Sequence, residues 1–337
     1  MRKIGTRLTR HNVRIFIIAM ILIGLPMNGM AQTTNKNMDK KGKTIRLIYP
    51  QWQGGHIADF IPEVKDTTAA SQGYTLGARL LDFLAPAQDG ETFTVPVSMS
   101  AERKLQDGVY DRDAIASQTH AAMEILTKAN PDRIVTFGGE CSVSAVPFTY
   151  LAKKYDGDVA MVWIDAHPDI TLPGEVYPAY HAMAVTACMG MGDKKILSEL
   201  PTKIPSDKII YIGLRDWERD EIKSRQQQLG IKNLTVADVR NNSDALLAWI
   251  KQTGAKHILV HFDMDVLDPA EIIPAVGVVK DGMKIDEVVR VINDIAHYNN
   301  IVALTVAEPM PCTAILLQNM LKRLPMIART AKTETKE

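Results

Sequence analysis

Two short stretches concentrate groups able to do chemistry. Asp165-Ala166-His167-Pro168-Asp169 and Asp263-Met264-Asp265-Val266-Leu267-Asp268-Pro269 each follow an apolar run and place acidic or imidazole side chains at alternate positions. If the chain stays extended for a few residues, Asp165, His167 and Asp169 face one point, and Asp263 and Asp265 share a side in the same way. Four carboxylates and an imidazole on one rim repel one another unless cations neutralise them. Hard oxygen ligands with one nitrogen suit Mn²⁺ or a similar divalent ion, and four carboxylates are enough to bridge two ions. Either stretch alone fits a helix cap or a turn, and Asp268-Pro269 reads as a turn. Both together, each at a strand end, favour a metal.

Such residues need a scaffold that brings distant segments to one place. Short apolar runs at Arg46 to Tyr49, Arg133 to Phe137, Val159 to Ile164, Ile209 to Ile212, His257 to Phe262 and Ile301 to Ala307 read as strands. Between them, Asp113 to Ala129, Asp244 to Gln252 and Ile285 to His297 carry apolar residues at helical spacing, most clearly Ile285, Val288, Ile292 and Ile295. Alternating strands and helices predict βαβ units and an α/β fold with a mostly parallel sheet. Ligands of such sheets bind beyond the carboxyl ends of the strands. There the sequence puts Gly138-Gly139-Glu140-Cys141-Ser142, the two acidic stretches, and Glu308-Pro309-Met310-Pro311.

The 337 residues carry 39 basic and 39 acidic side chains, so no net field argues for nucleic acid or an anionic membrane as partner. A small ligand fits better. At the N-terminus, Arg2, Lys3, Arg7, Arg10 and Arg14 precede the apolar run Ile15 to Leu25 and the small-residue pattern at Gly29-Met30-Ala31. Residues 1–31 therefore read as a signal peptide, since the run falls short of the roughly 20 residues of a membrane span. Export to a periplasm or the exterior, with no stable anchor after cleavage, is the expectation. Residues 32–45 read as a flexible polar lead-in, 46–330 as one domain and 331–337 as a polar tail. Three cysteines are an odd count and imply no disulfide framework.

From about Arg133 to Pro311 the sequence resembles the arginase/agmatinase family of ureohydrolases. The resemblance rests on the two acidic elements, on the glycine pair with its acidic residue and serine at Gly138 to Ser142, on Gly213-Leu214-Arg215-Asp216, on Pro274 and Gly277, and on Glu308 to Pro311. It implies a three-layer α/β/α fold and a binuclear manganese cluster. Asp165 and Asp263 would bridge the ions, Asp169 would complete one site, and His167 and Asp265 the other. A hydroxide held between the ions would attack the carbon of a linear guanidino substrate, giving urea and an amine. The resemblance further implies that Glu308 pairs with the guanidinium, that His181 shuttles protons, and, from the family's ring-like assemblies, that the chain forms a homo-oligomer.

Cys141 stands where the family has a histidine ligand. As a thiolate it would favour Zn²⁺, Fe²⁺ or Co²⁺ over Mn²⁺; as a neutral thiol it would weaken the first site; as a small apolar residue it would simply pack. The second site alone matches the Asp/His/Asp pattern of one-metal amide hydrolases of the deacetylase type, which is the alternative activity, and a guanidino-compound binding protein without turnover is another. The loop after Asp169 has Thr171 where the family's arginine-binding asparagine is expected, while Glu218 and Glu221 could meet a cationic amino group. A guanidino substrate with a different tail, or an N-hydroxylated guanidine, fits as well as arginine.

Overall fold

A computed structural model describes residues 42–57, 67–100, 102–310 and 312–327. The putting-together of the sheet follows from residue type. Thr44–Tyr49 (β1), Thr92–Thr94 (β2), Arg133–Gly138 (β3), Val159–Ile164 (β4), Ile209–Ile212 (β5), Lys232–Leu234 (β6), His257–Asp263 (β7) and Asn300–Ala307 (β8) form one parallel sheet in the order β2-β1-β3-β8-β7-β4-β5-β6. Every residue of β4 (VAMVWI) is buried, as expected of a central parallel strand covered on both faces. The six runs expected as strands are all present. The two that sequence missed, β2 and β6, lie at the edges and have three residues each, too few to show a period. A short antiparallel ribbon, Leu105–Gln106 with Val109–Tyr110, stands apart from the sheet.

Alternation along the strands divides the core into two layers. Met161, Trp163, Tyr211 and Leu259 face one side, where they pack with Leu126 and Ile115 of the helix Arg112–Ala129 and with Phe148 and Leu151 of Ala145–Lys154. Val162, Ile164, Ile212 and Val260 face the other, against Leu246 and Ile250 of Asp244–Thr253 and Val288, Val291 and Ile295 of Ile285–Tyr298. The result is a three-layer α/β/α sandwich. The buried stripe of that last helix differs from the one expected: Ile285 is 39% exposed. The reason is local, because Ile285 is the helix's first residue, where Lys284 and Glu287 cap the turn.

The signal-peptide reading, the lead-in as far as residue 41 and the polar tail lie outside the described residues. Among the described residues, no helix is long and apolar enough to cross a membrane.

Candidate metal centre

At the carboxyl end of β3 the chain makes a close backbone approach: a Cβ on Gly139 would overlap the Gln51 carbonyl, so only glycine passes. Glu140 then folds its buried carboxylate back, accepting from the Ser142 N–H (2.7 Å), the Ser142 hydroxyl (2.8 Å) and Gln51 Nε2 (2.6 Å). It thereby caps the 3-10 turn Cys141–Ser144. This turn fixes Cys141, whose thiol donates to Asp263 Oδ2 at 2.9 Å and whose N–H donates to Glu308 Oε1 at 3.2 Å.

The two acidic elements repeat one device. The His167 N–H donates to Asp165 Oδ1 at 2.6 Å, and the Asp265 N–H donates to Asp263 Oδ1 at 2.6 Å. Each strand-terminal carboxylate thus turns the chain two residues on, so neither segment runs on extended as the spacing suggested. Asp165 also accepts from Trp163 Nε1 at 2.9 Å, and Asp265 accepts from the Ala166 N–H at 3.2 Å, tying the two elements together. His167 Nδ1 lies 2.9 Å from Asp265 Oδ2 and 3.7 Å from Asp165 Oδ1. Asp169 adopts a left-handed backbone (φ 50°) and is buried. Its Oδ2 has no hydrogen-bond partner among the described residues. Asp268 accepts from the Ala270 N–H at 3.0 Å and forms a turn, as its sequence suggested.

Gly213 and Arg215 brace this rim from the next strand. Gly213 holds φ +84°, and a side chain there would meet Val266. The Arg215 guanidinium donates to the carbonyls of Asp265 (3.2 Å), Val279 (2.8 Å) and Lys280 (3.0 Å), binding the Asp265 turn to the loop that carries Gly277.

These side chains floor one cavity of about 440 Å³. Cys141, His167, Asp169, Thr171, His181, Glu218, Asp263, Asp265 and Glu308 reach it, and its walls are largely apolar and aromatic, among them Ile57, Tyr177, Trp217, Ile222 and Val276. His181 Nε2 lies 2.8 Å from the Tyr177 hydroxyl, and its Nδ1 lies 3.5 Å from Glu308 Oε1. Of the expected substrate contacts, Thr171 lines the cavity with its hydroxyl engaged and Glu221 lies outside the lining. Thr171 is buried with its hydroxyl already donating to the Ala182 carbonyl at 2.7 Å. Glu221 is exposed on the helix Asp220–Leu229, paired with Arg219 at 2.8 Å, and is not part of the lining.

The structure adds one residue that the motifs did not single out. His261, two positions before Asp263 on β7, is fully buried and stacks on Trp163 with ring centroids 3.5 Å apart. Its Nδ1 lies 2.8 Å from the Ser144 hydroxyl, while Nε2 has no hydrogen-bond partner among the described residues and lies 3.9 Å from Asp165 Oδ2. The sequence signal was the strand period itself, since residues 261 and 263 must share a face.

Protonation follows burial and charge. Burial, then Asp265, pushes the Asp165 carboxyl up to about 7, and burial with neighbouring carboxylates raises Asp169 and Asp263 well above the usual range. Burial, then Asp169 and Asp263, likewise keeps the Cys141 thiol protonated. Against the opposing effect of burial, His167 holds Asp265 down at about 2. Burial also works against an imidazolium at His181, but Tyr177 and Glu308 outweigh it and raise the group.

Three sets of donors lie close enough to hold an ion: Cys141, Asp165, His261 and Asp263; Asp165, His167 and Asp265; and Cys141, His181 and Glu308, with the donor atoms of each set within 4.8 Å of one another. A divalent cation fits them. It would neutralise carboxylates that otherwise retain protons, and it would give a partner to the orphaned nitrogen of His261.

Fold and donor sets together define a three-layer α/β/α protein with residues placed to hold a metal ion. The arginase family model matches residues 73–316, and the chain belongs to that family. Arginase of Eremothecium gossypii is 31% identical over 187 residues, covering 52% of this chain and 46% of that protein. For arginase of Saccharomyces cerevisiae the figures are 30% over 218 residues, with 60% and 65% covered. The chain thus matches between about half and two thirds of the length of these curated relatives. In three dimensions, arginase of Bacillus caldovelox superposes with a TM-score of 0.64 at 20% identity, over 85% of this chain and all of that one.

Proposed function

We propose that the protein is a metal-dependent ureohydrolase that cleaves a linear guanidino substrate into urea and an amine. The observation that carries this reading is the convergence of Glu308 with the acidic cluster on the floor of one cavity whose walls are apolar. A guanidinium is planar and cationic, and it forms paired, charge-assisted hydrogen bonds with a carboxylate. Glu308, 4% exposed and on a left-handed backbone (φ 61°), offers one beside Cys141 and His181.

Bound divalent cations, in this family two Mn²⁺, would supply an acidified water as nucleophile. The residues of the chain do the rest. Glu308 orients the guanidinium carbon over the carboxylates. The unpartnered oxygen of Asp169 accepts a hydrogen bond from the attacking water. His181, held between Tyr177 and Glu308, carries a proton that it can pass to the departing amine. Ile57, Trp217, Ile222 and Val276 exclude bulk water and favour an apolar substrate stem. Because the Thr171 hydroxyl is committed to the backbone, an amino-acid carboxylate finds no donor there, which favours agmatine-like guanidines without that carboxylate over arginine. Glu218, at the cavity lip, would meet a cationic end group.

The deciding experiment is urea release by residues 32–337 loaded separately with Mn²⁺, Zn²⁺, Fe²⁺ or Co²⁺, against arginine, agmatine, guanidinobutyrate and N-hydroxyarginine. Urea from one of them is expected. Metal-loaded protein that releases none, yet deacetylates an acetylated polyamine, would replace this reading with the one-metal amide hydrolase. The reading also includes export, so mature protein recovered outside the cytoplasm should begin at Gln32 by N-terminal sequencing.

A further inference from the structure

We propose that His261 is a metal ligand, completing with Cys141, Asp165 and Asp263 a four-coordinate site of mixed sulfur, nitrogen and oxygen donors. The proposal rests on the metal-dependent reading above and specifies one of its sites. Four observations carry it. His261 is fully buried. Its Nε2, unpartnered among the described residues, lies 3.9 Å from Asp165 Oδ2. Its donor atom falls within 4.8 Å of those of Cys141, Asp165 and Asp263. Its ring is already oriented, by stacking on Trp163 and by the 2.8 Å contact of Nδ1 with the Ser144 hydroxyl.

That last contact has the form that metal-binding histidines use: one ring nitrogen donates to a neighbouring group, which fixes the tautomer and leaves a lone pair on the other. With Nδ1–H donating to Ser144 Oγ, the lone pair of Nε2 points among the three acidic donors. Strand register builds the arrangement, because Trp163 pairs with His261 across β4 and β7, and Asp165 and Asp263 lie one period further along the same face. An unpaired imidazole nitrogen in a dry interior is costly unless something binds it.

On binding, the Sγ–H bond of Cys141 breaks, a sulfur–metal bond forms, and the proton leaves to solvent. The hydrogen bond from that thiol to Asp263 (2.9 Å) is replaced by shared coordination. One thiolate, one imidazole and two carboxylates make a borderline-soft, four-donor set, which fits Zn²⁺ or Co²⁺ better than Mn²⁺.

The test is a Co²⁺ titration of the metal-free full-length mature protein, followed by absorption spectroscopy, for wild type, His261→Gln and Cys141→Ser. Wild type should show a thiolate-to-cobalt charge-transfer band and intense visible bands of a four-coordinate ion. Cys141→Ser should lose the charge-transfer band. His261→Gln should keep it, lose visible intensity, and bind that cobalt at least about 10- to 100-fold more weakly, the range for losing even an outer partner. Because a buried substitution can impair folding, zinc-edge anomalous scattering from crystals of the unmutated protein gives a second reading. A peak about 2.0–2.1 Å from His261 Nε2 is expected. Unchanged cobalt affinity and spectrum in His261→Gln, or a zinc peak out of bonding range of Nε2, overturns the proposal and leaves the ureohydrolase reading intact. No metal bound by wild type under any condition overturns both.

Discussion

The half of the centre built on His167 and the half built on Cys141 differ in how they balance charge without a metal. In the first, His167 pairs with Asp265 at 2.9 Å, and Asp265 stays ionised at about 2. In the second, Cys141 and Asp263 share a proton-retaining contact, while His261 keeps a nitrogen unpartnered among the described residues. The first half is an ion pair that is already satisfied. The second is a set of donors awaiting a cation. An internal cation competes with a metal, so the Cys141 half offers the stronger thermodynamic reason to bind one, although the His167 half has the more familiar ligands.

Asp165 belongs to the donor set of each half, so Asp165→Asn removes the element the halves share and should have the largest effect. Metal affinity at both positions is expected to fall more than about 100-fold, beyond what loss of an outer partner costs, and urea production should vanish with it. Metal content per chain by mass spectrometry, measured after gel filtration, checks this; a full complement would show that the halves do not depend on a common bridge.

Cys141→His changes one half only. Replacing a thiol with a neutral nitrogen donor should narrow the preference for Zn²⁺ over Mn²⁺ by about tenfold or more, with the His167 half unchanged. Competition titrations of the two metals resolve it. An unaltered ratio would mean that sulfur does not bind, and that Cys141 is packing.

What could be read from sequence follows the range of the interactions involved. Central strands such as β4 are legible because burial on both faces forces an unbroken apolar run, whereas β2 and β6 owe their pairing to neighbours rather than to three residues of their own. Within the centre, Asp165, His167, Asp263 and Asp265 are visible because local spacing after a strand announces them. His261 was not, since it sits inside a run that reads as core, and only cross-strand register brings it to Cys141. The left-handed turn at Asp169 and the commitment of Thr171 to the Ala182 carbonyl are also tertiary facts. Glu221 shows the reverse case: its type suited a cationic substrate, but it lies on the solvent side of a helix whose Ile222 faces the cavity.

The contrast also predicts how the metal-free protein responds to pH. Asp165, raised from 3.8 to about 7, binds a proton more tightly folded than unfolded. Its contribution is therefore present below the unfolded value and lost as pH rises through the folded one. His261, lowered from 6.5 to about 3, acts in the opposite sense, but its effect levels off once the unfolded imidazole has lost its proton. Above about pH 6.5 the last of the carboxyl effect joins that of His167 and His181, both raised by neighbouring acidic groups and acting in the same sense, and the melting temperature of metal-free protein should fall by roughly 2–4 °C for each kcal/mol lost. Metal-loaded protein should show the slope flattened, because the cation stabilises the ionised carboxylates. Scanning calorimetry of both forms tests this, and equal slopes would mean that the metal lies away from Asp165.

The smallest effect concerns a residue outside both halves. Glu221 has the charge to attract a cationic substrate tail, yet it is exposed and engaged by Arg219 at 2.8 Å, and exposed ion pairs contribute little. Glu218 reaches the cavity instead, from a left-handed position (φ 58°) just after Asp216, whose Oδ2 lies 4.0 Å from His167 Nε2. Glu221→Gln should therefore change KM by less than about twofold for any guanidino substrate, whereas Glu218→Gln should raise KM for substrates with a cationic end and spare those without one. Steady-state kinetics on agmatine and a neutral-tailed guanidine separate the two. If Glu221→Gln gave the larger change, long-range steering rather than contact would govern substrate choice, and the effect should then disappear at high salt.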